Sequence, residues 1–274
     1  KLKTWYNGYN FLADPIYNPF DVLLYLRNKE FRSYWFETGT PTFLVDLIYE
    51  RQLDSVSLDN IQISDMFMGS FDVDSIEPEP LLFQTGYLTI AHKETFPAGI
   101  RYTLTFPNHE VRHAFHGALL NKFGQTGPRQ DKYKNRLLSA LQDGDMDALR
   151  DIFQAFFASI PNDWYRKNSL SDFEGYYCSV VYSYFVATGL DVRPEDATSH
   201  GRIDMSVLYG DKVFIIEFKV NELSKSGSAL AQIKEKRYAE KYSNKNIWLI
   251  GAEFSKEERN ISRFDWEQVH KLST

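Results

Sequence analysis

Two periodicities run through the chain. In the first half, apolar residues recur mostly at helical spacing. From Phe20 to Lys29 they fall at Phe20, Leu23 and Leu24, with Arg27 one turn on, which predicts a helix after the Asn18-Pro19 loop. Thr40-Pro41 opens a second predicted helix through Leu44, Leu47 and Ile48 to about Gln52, with the proline in the first turn, where a missing N–H costs little. Leu58 to Phe67 reads as another short helix, and Pro78 to Gln84 as one more that ends before Gly86. The period then changes to two. Tyr87 to Ala91 and Ile100 to Phe106 alternate like strands on either side of a loop with Pro and Gly, a hairpin of the kind that forms the wing of a winged helix. Pro107-Asn108 caps the next helix, which runs to about Phe123.

Gly124 to Arg129 carries two Gly and one Pro and marks the expected boundary between residues 1–128 and 129–274. Beyond it, Arg136 to Leu141 and Asp145 to Ile160 read as helices, with Pro161 as a stop. Ser171 opens an aromatic-rich helix to about Thr188, and Gly189 closes it. Arg202 to Tyr209 and Val213 to Val220 read as strands around a Gly210-Asp211 turn, followed by a helix from about Ser228 to Tyr242 and a strand from Asn246 to Gly251. The expected fold is therefore mixed, α+β or α/β, with a helical, winged-helix-like region before a mixed-sheet unit.

A length of 274 residues lies where a single core begins to split, which agrees with two units. Hydrophobic residues at 43% and charged residues at 25% exclude a disordered chain. No apolar run approaches the roughly 18–20 residues needed to cross a bilayer, and Lys1 to Tyr6 has no apolar signal-peptide core. A cytoplasmic protein is expected. The single cysteine, Cys178, excludes an intramolecular disulfide and a multi-cysteine zinc site. Lys1 is not an initiator Met, and the aromatic run Trp5 to Phe11 has the texture of a domain interior, so the chain reads as a piece of something longer. A net charge of −6 argues against a globally basic nucleic-acid binder but leaves room for local basic faces. Lys122 to Arg136 holds five Lys/Arg against one Asp, and Lys225 to Lys245 holds six against two Glu.

Along Val213 to Val220, alternation turns Glu217 and Lys219 to the same side of an apolar strand. A carboxylate and an amine there are costly unless paired or bound to something. Asp204 lies thirteen positions earlier, on the other arm of the hairpin, and could approach Glu217. Two such carboxylates suit Mg2+ or Mn2+, a hard cation that also takes water and phosphate oxygens. The cation would polarise a phosphodiester and acidify a bound water, with Lys219 orienting that water or neutralising charge on phosphorus. Residue types alone also allow a structural ion pair at a sheet end.

The runs His200 to Ser206, Ile215 to Val220 and Ala229 to Tyr238 together resemble the C-terminal nuclease-like domain of bacterial AAA-ATPase-like proteins, a branch of the PD-(D/E)XK superfamily. The resemblance extends from about Phe173 to Phe254. It implies a metal-dependent nuclease acting on nucleic acid, DNA foremost, in which Asp204 and Glu217 bind the metal and Lys219 is the catalytic lysine. It further implies that Glu174, on the preceding helix, completes the acidic cluster and that Gln232 orients water or substrate. Glu174 also completes a capping box with Ser171, and Gln232 could equally be an exposed helix residue. Glu195 and Arg202 lie in the same stretch without an assigned role.

Trp5 to Tyr9, Tyr17 to Phe20, Tyr34 to Gly39 and Leu82 to Leu88 resemble the part of those proteins between the ATPase core and the nuclease, implying a helical lid and a winged-helix-like unit. The ATPase core itself is missing. No Gly-x-x-x-x-Gly-Lys-Ser/Thr occurs, so this chain is not expected to hydrolyse ATP even if its parent does. Two other classes stay open. One is a catalytically silent module that binds nucleic acid or protein. The other is a zinc metalloprotease, because His109-Glu110-Val-Arg-His113 matches His-Glu-x-x-His. Against it, His109 stands at the start of its helix, His116 and Leu119 break the metzincin continuation, and the next Glu, Glu174, is sixty-one residues past His113.

Overall fold

The computed structural model describes residues 1–38, 42–51, 55–68, 77–122, 127–160 and 174–270, and within these the side chains of residues 37–38, 49–50 and 174–176 lie outside the description. The chain divides into two compact units, Lys1–Lys122 and Phe123–Thr274.

In the first unit, α1 (Leu2–Tyr6), the short strands β1 (Asn7–Tyr9) and β2 (Ile16–Tyr17), and α2 (Pro19–Asn28) come first. The Asn18 side chain accepts the Phe20 N–H at 3.1 Å and Pro19 occupies the first turn, so α2 starts where its capping signals stand. Helices α3 (Tyr34–Thr38) and α4 (Thr42–Arg51) follow. The helix expected over Leu58 to Phe67 is not formed. A 3-10 turn (Ser57–Asp59), strand β3 (Ile61–Ser64) and helix α5 (Asp65–Met68) replace it. Ile61 and Ile63 alternate around Gln62 and pair with Leu104 and Tyr102, and this tertiary pairing overrides local helical spacing. After α6 (Pro78–Gln84), β4 (Thr89–Phe96) and β5 (Gly99–Thr105) form an antiparallel hairpin, and β3 adds to it in the order β3-β5-β4. Helix α7 (His109–Lys122) closes the unit, with Val111 taking the Asn108 cap at 3.1 Å.

The second unit begins with α8 (Gly127–Asp143), α9 (Met146–Ala158) and α10 (Glu174–Val186). Ser171, the other half of the proposed capping box, lies outside the described residues. Strands β6 (Asp191–Thr198), β7 (Gly201–Tyr209), β8 (Lys212–Val220), β9 (Asn246–Ser255) and β10 (Asn260–Val269) form one sheet in the order β10-β9-β8-β7-β6. Only β8 and β9 run parallel, joined by a crossover containing α11 (Ser228–Glu235). The result is an α+β unit around a five-stranded mixed sheet.

Both sheet faces are covered. On one, Phe218 and Phe254 meet Phe157 and Tyr177 from α9 and α10, with the Tyr177 and Phe254 rings stacked at 4.2 Å. On the other, Val213, Ile215, Ile247 and Leu249 form a core with Ile233, Tyr238 and Tyr242. The helix expected to run to Tyr242 stops at Glu235, Arg237 turns left-handed (φ 53°), and Tyr238–Tyr242 continues as a 3-10 turn. Ile233 and Tyr238 are five residues apart, out of phase on an α-helix. The break lets both face the sheet.

The pairing of β6 with β7 contains the feature that shapes the site. It passes from Pro194–Met205 to Asp196–Ile203, skipping Glu195 and Asp204, and Glu195 has φ 50°. Strict alternation would keep Ile203 and Met205 on one face. Instead Ile203 joins the cluster of Val213 and Ile215, and Asp196 accepts a hydrogen bond from Ser206 Oγ at 2.9 Å. Both strands therefore change face at Glu195 and Asp204, leaving Asp204 at a bend.

Candidate active site

Strand β8 supplies the centre. Glu217 and Lys219 lie on its α11 side, two residues apart, as alternation requires. Glu217 is fully buried, and the Lys219 Nζ stands 3.7 Å from its Oε1. Gln232, on α11, donates a short hydrogen bond to the same Oε1. Asp204 would be next opposite Glu217 after the last paired residues, Met205 and Ile216. There its Oδ2 accepts the Phe218 N–H at 2.8 Å, so the carboxylate takes a backbone donor at the point where the ladder ends.

Tyr238 reports that these groups converge. Its hydroxyl pKa is raised, first by burial and next by the Glu217 charge, with the Asp204 charge adding to it, while a hydrogen bond from Gln232 opposes the shift. The hydroxyl donates to the Arg202 carbonyl at 2.7 Å. Asp204, Glu217, Lys219 and Gln232 are thus gathered at one end of β7 and β8 under α11. Glu174 opens α10, but its side chain lies outside the described residues.

Close approach of α11 depends on Gly251, the register partner of Glu217 on β9. A Cβ there would stand 2.4 Å from the Leu230 nitrogen and 3.0 Å from the Ala229 Cβ. Two strand positions on, Glu253 is buried beside Lys219 in register. Gly251, Glu253 and Tyr238 received no role from the sequence. A glycine interrupting an apolar strand is a signal of close backbone approach, and a Glu amid Ile250, Ala252 and Phe254 signals a buried charge.

The other acidic groups nearby have structural partners. Burial acts to raise the Asp196 pKa, but hydrogen bonds from Lys241, Tyr242 and Ser206 outweigh it and hold the carboxyl below its usual range. Glu195 and Arg202 form an exposed ion pair at 2.7 Å. Within the basic stretch, Lys234 pairs with Glu267, Arg237 with Glu240 and Lys241 with Asp196, so part of its charge is already neutralised. Among the described residues, no group of three or more His, Cys, Asp or Glu is placed to hold a metal ion. Asp204 and Glu217 are the two carboxylates at this strand end, and one or two carboxylates are what Mg2+ usually takes from protein when water and substrate oxygens fill its shell.

In the first unit, His109 and His113 stack with ring centroids 5.9 Å apart, and Trp5 packs on His109 at 4.7 Å. Burial, with Arg112 and His113 nearby, drives the His116 pKa well below its ordinary value, so His116 is neutral. Glu110 is fully buried and its Oε1 accepts the Trp35 N–H at 2.8 Å. A base serving zinc-bound water has to meet that water, and this carboxylate is instead committed to the core. Asp21 is also fully buried, and burial raises its pKa, with Glu110 acting in the opposite direction.

Helices α10 and α11, strands β6 to β9 and the Asp204, Glu217, Lys219 and Gln232 grouping fall within residues 172–264, which match the PD-(D/E)XK nuclease superfamily. A PD-(D/E)XK nuclease superfamily domain therefore occupies that stretch. Over 271 residues, 98% of the chain, the sequence is 48% identical to a protein of Azotobacter chroococcum mcd 1 described as an uncharacterized protein in vnfD 5'region. The match covers 52% of that protein, so the chain spans about half the length of this relative. No solved structure matches the chain significantly.

Proposed function

We propose that the second unit hydrolyses phosphodiester bonds in nucleic acid, DNA foremost, with Mg2+ or Mn2+. The observation that carries this reading is the buried Glu217, held by Gln232 and Lys219, with Asp204 reaching across to the same strand end. Asp204 and Glu217 would hold the cation, and Glu174 would complete the acidic cluster. When bound, the cation polarises the phosphodiester and lowers the pKa of a coordinated water. Gln232 fixes the Glu217 carboxylate in one rotamer. Lys219 keeps its ammonium beside that carboxylate, where it neutralises charge developing on the phosphoryl oxygens or orients the attacking water. The match to the nuclease superfamily supports the reading independently of this geometry.

The first unit, in this proposal, corresponds to the segment between an ATPase core and the nuclease in AAA-ATPase-like proteins, with β4, β5 and α7 as a winged-helix-like part. The resemblance of its motifs is what supports that assignment. Cytoplasmic action fits the single cysteine, and no described helix is long and apolar enough to cross a membrane.

The test is cleavage of single- and double-stranded DNA and RNA with Mg2+ or Mn2+, with Glu217→Ala in parallel. Cleavage by the wild-type chain that disappears in the variant is the expected result. Binding without cleavage on every substrate would refute the catalytic reading and leave a silent binding module.

A further inference from the structure

Glu253 sits in a setting that fold stability alone does not explain. Its side chain is 1% exposed. One oxygen, Oε1, accepts the Ala229 N–H at a long 3.4 Å, and Oε2 meets no hydrogen-bond donor among the described residues. An under-satisfied buried carboxylate opposes folding, and an apolar side chain of similar volume is often neutral or stabilising in such a place. Glu253 is nevertheless embedded among the site's supports. Its register partners are Lys219 on β8 and Arg263 on β10. Its charge is felt by Arg263, whose pKa is pushed up first by a hydrogen bond with Asp265.

Ala229 stands in the first turn of α11, where backbone N–H groups have no partner within the helix and a negative charge is favoured. Gln232 lies three residues on, on the same side of the helix, and donates to Glu217. Gly251, next on this face of β9, brings α11 close enough for both contacts. The helix is thus fixed to the sheet at two carboxylates: Glu253 at its first turn and Glu217 at its second.

We propose that Glu253 is a positioning residue of the candidate site: from β9 it anchors the first turn of α11 and so holds Gln232 on Glu217. The inference rests on the nuclease reading only for its consequence for activity. Glu253 lies beside Lys219 in register, and its effect on the site runs through α11, so its loss acts on alignment.

The experiment compares the wild-type, Glu253→Leu and Glu253→Gln 274-residue chains by three measurements. Amide exchange of Ala229 and of the Gln232 side-chain amide is followed by NMR, thermal stability by calorimetry, and cleavage of the best DNA substrate with Mn2+ by steady-state kinetics. Glu253→Leu should keep or raise the melting temperature while both amides exchange at least about tenfold faster. Its kcat should fall at least about tenfold with KM within twofold, because a small misplacement of a catalytic group lowers turnover more than binding. Glu253→Gln, which keeps an oxygen acceptor for the Ala229 N–H, should recover most of the protection and most of kcat. Unchanged amide exchange in Glu253→Leu overturns the proposal, whatever happens to activity. A parallel loss of melting temperature and kcat in Glu253→Leu and Glu253→Gln also overturns it, by reducing Glu253 to a packing role. If the wild-type chain cleaves nothing but Glu253→Leu loses amide protection at unchanged stability, the positioning role is supported and the nuclease reading alone fails.

Discussion

Replacing Gly251 with Ala adds a single methyl group at the tightest point between sheet and helix. The new Cβ would lie 2.4 Å from the Leu230 nitrogen and 3.0 Å from the Ala229 Cβ. The first contact is short of the usual 3.5–4.0 Å by about 1 Å, and its partner is helix backbone, which cannot rotate away as a side-chain tip can. Helix α11 must back off or β9 must sink. Overpacking of this kind costs roughly 1–3 kcal/mol, which urea unfolding of the full chain resolves. The same displacement lifts Gln232 from Glu217, and a misplacement of about 1 Å at a reacting centre lowers turnover by roughly a hundredfold. Gly251→Ala should therefore lose stability measurably and lose kcat disproportionately, with KM nearly unchanged. A variant with the wild-type urea midpoint and wild-type kcat would refute the seating of α11 on Gly251.

Other expectations follow from the buried charges. Asp21 has a folded-state pKa raised above its unfolded value of about 3.9, so its contribution to stability is complete below that value and is lost as pH rises through the folded one. Asp21→Asn, which stays neutral, should flatten the fall in stability as pH rises above about 4 and leave the variant the more stable chain at the upper end. Identical slopes in urea titrations of the two chains would contradict the assignment. At the candidate site, millimolar Mn2+ or Mg2+ should raise the melting temperature by mass action, and Asp204→Asn and Glu217→Gln should each reduce that rise, as read by calorimetry. Lys219→Ala removes a positive charge next to Glu217, so it should retain or strengthen the metal-induced rise while abolishing cleavage. A Lys219→Ala chain that cleaves normally would remove the lysine from the mechanism.

Much of the second unit is legible before folding, because its central strands are apolar enough to announce themselves. Val213 to Val220 and Asn246 onward show strong strand character, and alternation alone turns Glu217 and Lys219 to one side. Strands β6 and β10 escaped the sequence reading. Asp191 to Thr198 contains Pro194 and four charged residues, and Asn260 to Val269 contains three more, since an edge strand needs little apolar surface. Ile61 to Ser64 failed for a different reason: its strand form depends on pairing with Tyr102 and Leu104, about forty residues away. Asp204 and Gln232 were singled out by motif order. Glu253 and Gly251 were not, because their roles exist only once β9 lies next to β8 and α11 is seated over both.

The two outer strands determine how other molecules can approach the sheet. On β6, Pro194 has no N–H to offer and Glu195 interrupts the extended backbone; on β10, Arg263, Asp265 and Glu267 line the rim with charge. Another polypeptide extending the sheet would have to pair with an interrupted strand on one side or desolvate these ions on the other. The second unit is therefore protected against strand-by-strand polymerisation, and it should stay dispersed at concentrations where an unguarded five-stranded sheet would seed fibrils.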